Sequence, residues 1–160
     1  MNYSKIYKND IVNGEGICVS LFVSGCEHQC PGCFNKSAWS FQSGSVYTKA
    51  TEQEIFDALV ANGIRRNLSI LGGEPLHPRN RKEISHLISK VRAAHPDIKI
   101  FLWTGYTIEE LLAKKDIYIQ NILTKINYLI DGPFIEEQKD LTLKWRGSAN
   151  QRIIECLKTN

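Results

Sequence analysis

The chain has 160 residues, of which 42% are apolar and 23% charged, and its formal net charge is +3. These figures are ordinary for one soluble globular domain, and we predict a single domain over residues 1–160. No apolar run approaches the roughly 20 residues that span a membrane, and residues 1–5 lack the apolar core of a signal peptide. We therefore expect a cytoplasmic protein with neither a membrane nor nucleic acid as partner, although an acidic partner would suit the mild positive charge.

Apolar runs along the chain indicate a series of short β-strands. The polar, glycine-containing stretch 41–47 is typical of a loop. A last strand or extended segment is expected within 141–157, inside a distinctive tail that covers about 141–160. The four predicted strands before the tail are 17–24, 67–71, 98–103 and 126–130.

Helical spacing of apolar residues, together with capping signals, predicts helices between these strands. Thr51 is placed to cap a helix that ends at Gly63. Asn80, with Glu83 at the reciprocal position, is placed to cap a second helix that stops at His95. Shorter helices are predicted at 35–39, at 107–113 with Thr107 and Glu110 as a further capping box, and at 117–123.

Alternating strands and helices are typical of an α/β fold with a mostly parallel sheet. Right-handed crossovers place the carboxyl ends of parallel strands at one edge of such a sheet, where α/β proteins bind their ligands. We therefore expect the functional site at this edge. The loops that follow the four predicted strands contain Cys26–Cys33, Gly72-Gly73-Glu74, Thr104-Gly105 and Asp131-Gly132.

Three cysteines, Cys26, Cys30 and Cys33, follow the first predicted strand closely. Thiolates at this density bind zinc or an iron–sulfur cluster. A 4Fe–4S site with three cysteines would leave one iron open to a substrate, whereas a structural zinc site would need a fourth ligand from His28, Cys18 or Cys156. Without a metal, His28 is expected to be a solvated loop residue. A disulfide framework is disfavoured because the five cysteines are odd in number and no secretory signal is present.

The spacing C-x3-C-x2-C resembles the signature of radical S-adenosylmethionine (SAM) enzymes. Further motifs follow in order: Asn13-Gly14-Glu15-Gly16, Cys33-Phe34-Asn35, Gly72-Gly73-Glu74-Pro75, Trp103-Thr104-Gly105-Tyr106, Ile130-Asp131-Gly132-Pro133-Phe134 and Trp145-Arg146-Gly147-Ser148-Ala149-Asn150-Gln151-Arg152. Together they resemble the activating proteins of anaerobic ribonucleoside-triphosphate reductases, and the last run is the most specific. The resemblance covers about residues 12–152 and implies an open, partial (β/α) barrel of the radical SAM type.

The resemblance implies that Cys26, Cys30 and Cys33 hold a 4Fe–4S cluster whose fourth iron binds SAM. One electron, from a flavodoxin-type donor, would cleave SAM into methionine and a 5′-deoxyadenosyl radical. That radical would take a hydrogen atom from a glycine of the glycyl-radical subunit of an anaerobic ribonucleoside-triphosphate reductase. An activase of another glycyl-radical enzyme, such as pyruvate formate-lyase, is the nearest alternative. A non-catalytic zinc-binding module is the alternative from a different class.

The same resemblance implies a set of SAM-binding residues at the predicted sheet edge. Glu74 is expected to bind the methionine ammonium, beside glycines that permit close backbone approach. Phe34 is expected to pack beside the adenine, although superfamily members often carry their aromatic residue at the position that is Gly32 here. The basic tail residues Lys144, Arg146 and Arg152 suit either the rim of the site or partner docking. The predicted cofactor-binding set is Gly32, Cys33, Phe34, Gly72, Gly73, Glu74, Thr104 and Asp131.

Overall fold

One mixed, open sheet organises the computed structural model, which describes residues 1–157. Its seven strands are β1 (Asn2–Asp10), β2 (Cys18–Val23), β3 (Ser45–Val46), β4 (Asn67–Gly72), β5 (Ile100–Trp103), β6 (Tyr128–Asp131) and β7 (Arg152–Glu155) in this described part of the chain. Their order across the sheet is β3-β1-β2-β4-β5-β6-β7, and it does not close into a barrel. The predicted α/β class is confirmed. Residues 158–160 of the predicted domain and tail lie outside the described residues.

The centre of the sheet is parallel, as the alternation of strands and helices predicts. Strands β2, β4, β5 and β6 pair in parallel and coincide with the four predicted apolar runs. The outer strands β1, β3 and β7 pair antiparallel. Parallel pairing therefore forms the core of the sheet rather than nearly all of it. The carboxyl ends of the four central strands share one edge, as expected.

Helices connect the parallel strands. Within residues 1–157 the four α-helices are α1 (Lys49–Leu59), α2 (Arg81–Ala94), α3 (Ile108–Ala113) and α4 (Ile117–Leu123). The predicted capping box of α3 is confirmed, because the Thr107 hydroxyl accepts from the Glu110 amide while the Glu110 side chain accepts from the Thr107 amide. A 3₁₀ helix at Lys36–Ala38 takes the place of the predicted short helix. In the described part of the chain no helix combines the length and apolar character needed to cross a membrane.

The two faces of the sheet have different cover. One face, here called the helix face, presents Leu21, Ile70 and Leu102 to the α-helices and forms the apolar core. The opposite face, here called the tail face, presents Phe101 and Tyr128, whose rings stack at 5.1 Å between centroids. Residues 141–151, here called the tail segment, lie against this second face. Alternate residues of each strand therefore serve the core and the tail face separately.

Strand β1 was not predicted, and neither was β3. The sequence of β1 is polar and much of it is exposed, so it lacks the apolar alternation that indicates a strand. It is a strand because β2 offers it an open edge, and Ile6 pairs with Leu21 across that edge. The short β3 lies inside the stretch predicted as a loop and pairs with Asn2 and Tyr3. These are long-range pairings that local sequence patterns do not report.

Two predicted helix caps are wrong. Helix α1 starts earlier than predicted: Thr48 is its N-cap, and Thr51 supplies the reciprocal bond from inside the first turn. Asn80 makes no side-chain cap to α2. Its amide instead donates to the carbonyl oxygens of Ser24 and Glu74, both at 3.0 Å. Asn80 is buried and joins the loops after β2 and β4, so a tertiary role replaced the local one.

Candidate active site at the carboxyl edge of the parallel strands

The cysteine loop begins directly after β2. Gly25 has φ +94, and a Cβ there would come within 2.0 Å of the Phe41 ring, so only glycine fits. The amides of Gly25 and Cys26 donate to the carbonyls of Ala38 and Trp39 at 2.7 and 3.0 Å. The loop is thereby fixed at its start. Its later turns pass through Gln29 at φ 46 and Gly32 at φ 70.

Cys26, Cys30 and Cys33 are free thiols of intermediate burial, and all three line one cavity. The Cys33 Sγ accepts a hydrogen bond from the Asn35 amide at 3.3 Å. Burial is the largest influence on Cys26 and raises the pKa of its thiol to about 11. Within residues 1–157, no three His, Cys, Asp or Glu side chains are arranged to hold a single metal ion. The three thiols can lie farther apart around a 4Fe–4S cluster than around one zinc ion, because each cysteine binds a different iron.

The alternative fourth ligands for zinc lie elsewhere or are otherwise occupied. Cys18 is fully buried within β2, where its thiol donates to the Glu15 carbonyl. Cys156 follows β7, outside the cavity lining. The prediction that His28 is a solvated loop residue is wrong, because its side chain pairs with Glu74.

Gly72-Gly73-Glu74 continues the parallel pairing of β2 and β4 into the loops. The Gly73 amide donates to the Val23 carbonyl at 2.7 Å, and the Glu74 amide donates to the Gly25 carbonyl at 2.8 Å. A Cβ on Gly73 would lie 2.7 Å from the Gly25 carbonyl oxygen. The glycine pair therefore lets the two loops touch backbone to backbone.

The Glu74 carboxylate connects the three loops that follow β2, β4 and β5. It is almost fully buried. One oxygen accepts from the Leu76 amide at 2.9 Å and from the Thr104 hydroxyl at 2.8 Å. The other accepts from the Gly105 amide at 2.8 Å and pairs with His28 Nε2 at 3.1 Å. This hydrogen bond to Glu74 raises the pKa of His28.

A second pair of side chains holds the cysteine loop, and sequence reasoning missed it. His77 Nε2 lies 3.3 Å from Glu27 Oε2, and the imidazole packs on Phe41 at 4.5 Å between ring centroids. The only sequence signal for this pair is position: Glu27 follows Cys26 directly, and His77 lies just after the Gly72-Gly73-Glu74-Pro75 motif. The cysteine loop is thus tied to the loop after β4 by Glu27–His77 and by His28–Glu74.

The cavity lies on the tail face and has a volume of about 490 Å³. Most predicted cofactor-binding residues line it: Cys33, Phe34, Gly72, Gly73, Glu74 and Thr104, together with Cys26 and Cys30. Gly32 and Asp131 lie outside this lining. Gly32 faces Glu136, whose side chain leaves no room for a Cβ. Asp131 is fully buried and accepts from the Ile108 amide at 2.7 Å and from Arg152 Nε at 2.9 Å. Its geometry is that of a structural residue.

The tail segment forms the far wall of the cavity. Trp145 is its anchor: the indole Nε1 donates to the Gly14 carbonyl at 2.8 Å, and the ring meets Phe101 edge-on at 4.9 Å. Trp103 Nε1 donates to the Trp145 carbonyl at 2.7 Å. The wall residues are Leu141, Leu143, Trp145, Arg146, Gly147 and Gln151. The sequence did not decide whether the basic tail residues lie at the site or at a docking surface. Arg146 lines the cavity, whereas Lys144 and Arg152 do not.

Comparison with known proteins agrees with this arrangement. Residues 12–154 match the family described as a 4Fe-4S single cluster domain. An anaerobic ribonucleoside-triphosphate reductase-activating protein of Escherichia coli K12 is 47% identical over 96% of this chain and 97% of its own. Proteins of the same name from Vibrio cholerae and phage T4 are 49% and 44% identical over 96% of this chain and over 97% and 93% of theirs. The chain belongs to the family of anaerobic ribonucleoside-triphosphate reductase-activating proteins.

Proposed function

We propose that this protein activates an anaerobic ribonucleoside-triphosphate reductase by generating a glycyl radical on it through reductive cleavage of SAM. The observation that carries the proposal is the meeting of Cys26, Cys30, Cys33 and Glu74 on one cavity at the carboxyl edge of the parallel strands. Family membership supports the same partner. We also propose that the open sheet is the partial (β/α) barrel of radical SAM enzymes, with the tail face as its interior.

Cys26, Cys30 and Cys33 would hold a 4Fe–4S cluster. The residues fit such a group, because three free thiols share one cavity and Cys33 Sγ already receives an amide hydrogen bond of the kind that tunes cluster potentials. When bound, the reduced cluster supplies the electron that cleaves the sulfonium C–S bond of SAM. The backbone bonds at the start of the loop position the three thiols on the cavity.

Glu74 would receive the methionine ammonium of SAM. A carboxylate offers about four acceptor positions, and the chain fills them with four donors. The bond to His28 is the longest, at 3.1 Å, and His28 is the one donor that comes from the cysteine loop. We assign His28 as the group that an ammonium replaces. Thr104 and the amides of Gly105 and Leu76 keep the carboxylate in place.

The mouth of the cavity suits a protein substrate. Val12, Phe34 and Leu141 line it and are 72%, 61% and 76% exposed. Exposed apolar groups around an opening are typical of interaction sites. A glycine-bearing loop of the reductase would enter here, and Phe34, which meets Phe134 edge-on at 5.5 Å, would pack beside the adenine. We propose a flavodoxin-type electron donor and a cytoplasmic location, where thiols stay reduced.

The test is an anaerobic activation assay with iron–sulfur-reconstituted protein. SAM and reduced flavodoxin are added together with the reductase or, in a parallel arm, with pyruvate formate-lyase. We expect 5′-deoxyadenosine and a glycyl-radical signal in electron paramagnetic resonance with the reductase, and loss of both in Cys26→Ala. A signal on pyruvate formate-lyase alone would reassign the partner. Tight binding of one zinc ion without formation of 5′-deoxyadenosine would refute the proposed enzymatic activity.

A further inference from the structure

Among the described residues that line the cavity, Arg146 is the one with a buried side-chain polar atom that lacks a hydrogen-bond partner. Its guanidinium makes one side-chain hydrogen bond within residues 1–157, from Nη1 to the Gln151 carbonyl at 3.1 Å. Its Nε is buried and has no hydrogen-bond partner among the described residues. A guanidinium has five N–H donors and stays charged in proteins. A buried donor without an acceptor is costly, so this arrangement requires an explanation.

Four other arginines find acceptors within the chain: Arg66, Arg81 and Arg92 are buried or partly buried, and Arg152 is exposed. Arg81 pairs with Asp116 at 2.7 Å. Arg66 donates to Asn9 and to three carbonyl oxygens around the end of α1. Arg92 donates to Asn127 and to three carbonyl oxygens between α2 and β6. Arg152 pairs with Asp131 and Glu109. In each of these four cases the chain supplies acceptors to the guanidinium, whereas the buried Nε of Arg146 finds none among the described residues.

The charge of the cavity points to a specific kind of ligand. Among the described residues, Glu74 and Arg146 are the only Asp, Glu, Lys or Arg side chains that line it. They do not neutralise each other, because both Glu74 oxygens are bound by other groups. An α-amino acid moiety carries one ammonium and one carboxylate. A cavity with one carboxylate and one guanidinium is complementary to that pair of charges.

We propose that Arg146 binds the amino-acid carboxylate of the ligand in this cavity, which is SAM in the function proposed above. Arginine suits this task because its planar fork matches the two oxygens of a carboxylate. Glu74 and Arg146 then hold the ammonium and the carboxylate of one amino-acid moiety. The loop after β4 supplies the acidic wall and the tail segment supplies the basic one. The inference rests on the proposed function only for the identity of the ligand.

The test compares two ligands on reconstituted protein by anaerobic equilibrium dialysis. SAM carries the carboxylate, and decarboxylated SAM lacks it. We expect Arg146→Gln to weaken SAM binding about 10- to 100-fold, the range for losing a hydrogen-bonded charged group. Binding of decarboxylated SAM should stay the same. Arg146→Lys, which keeps the charge but loses the fork, should fall between wild type and Arg146→Gln.

Lys144→Gln is the matched control, because it removes an exposed positive charge from the same segment outside the cavity lining. It should leave both affinities unchanged. Circular dichroism melts establish that the variants are folded. Equal loss of both ligands in Arg146→Gln, or no loss of either, overturns the inference, as does wild-type protein that binds neither ligand. Arg146→Gln could instead change only the reductase concentration that activation requires and leave both ligand affinities unchanged. That result also overturns the inference, because it assigns Arg146 to partner docking.

The outcomes separate this inference from the proposed function. Protein that binds SAM in an Arg146-dependent way but never forms a glycyl radical on the reductase refutes the activation and supports the carboxylate site. Protein that activates the reductase with Arg146→Gln at wild-type SAM affinity refutes the carboxylate site and supports the activation.

Discussion

Arg146 and Arg152 belong to the same distinctive sequence run, yet the structure uses them in opposite ways. Arg152 directs Nε to Asp131 at 2.9 Å and Nη1 and Nη2 to Glu109 at 3.0 and 2.7 Å. Asp131 and then Glu109 raise the pKa of Arg152. Arg146 reaches one carbonyl. A guanidinium that finds acceptors for most of its donors in the chain stabilises the fold, whereas one with a single acceptor among the described residues has donors left for a ligand.

The same contrast separates two regions of the molecule. The junction of β6, β7 and α3 around Asp131 is closed by bonds within the chain. The cavity between the cysteine loop, Glu74 and the tail segment contains free thiols and a guanidinium whose Nε has no hydrogen-bond partner among the described residues. Substitutions at the cavity should remove function without unfolding the domain. Substitutions at the junction should lower stability without changing ligand binding.

The largest expected effect is at the cysteines. Cys30→Ala should abolish both iron incorporation and SAM cleavage, because it removes one of the three proposed cluster ligands. The melting temperature of the iron-free protein should stay within a few degrees of wild type, since the thiol is only partly buried. Iron content, 5′-deoxyadenosine yield and circular dichroism melts measure this. Cys156→Ala, which removes a thiol outside the cavity lining, should keep full iron content. Iron retention with SAM cleavage in Cys30→Ala would remove that residue from the ligand set.

Glu74 should show the next largest effect. Alanine is a poor probe here, because it would leave the buried amides of Leu76 and Gly105 without acceptors. Glu74→Gln keeps one of the two acceptor oxygens, enough for one of these amides, and removes the charge. It should therefore perturb the fold less than alanine and keep the cluster, while weakening SAM binding by about tenfold or more. Equilibrium dialysis and iron analysis separate the two. Glu137→Gln, an exposed change of the same charge, should alter neither. Unchanged SAM affinity in Glu74→Gln would mean that Glu74 stabilises the fold and does not bind the ligand.

Arg152→Ala tests the junction. Asp131 is fully buried and would keep the Ile108 amide but lose its cation. An uncompensated buried charge destabilises a fold, so we expect the melting temperature to fall by about 5 °C or more. SAM affinity should not change. A normal melting temperature with weakened SAM binding would show that Arg152 serves the ligand, in the way proposed for Arg146.

The sequence predicted the strand-end residues of the cavity better than the residues of the tail segment that face them. The four parallel strands are apolar runs, which are local signals, and a parallel sheet brings their carboxyl ends together by topology. Cys26, Cys30, Cys33 and Glu74 therefore met as expected. Asp131 also follows such a strand, but it faces Arg152 and α3 instead of the cavity. Position along the chain does not reveal which way a side chain points at a strand end.

The tail segment shows a different limit. Trp145 bonds to Gly14, 131 positions earlier in the chain, and no local pattern encodes a contact of that separation. Strand β1 is similar, because its polar sequence becomes a strand only through its pairing with β2. Asn80 looked like a helix cap but satisfies two buried carbonyls instead. In each case, acceptors and edges created by the fold decide the role of the residue.

The smallest expected effect concerns the pH dependence of the ion pair between Glu109 and Arg152. The hydrogen bonds from Arg152 lower the pKa of Glu109 from 4.5 to about 2. A lowered folded-state pKa stabilises the fold above pH 4.5, and that stabilisation disappears as the pH falls through about 2. Glu109→Gln should therefore melt slightly below wild type at neutral pH, and the difference should vanish between pH 4.5 and 2. The pair is exposed, so added salt should shrink the difference at neutral pH. A difference that persists at pH 2 would mean that Glu109 contributes through packing rather than through its charge.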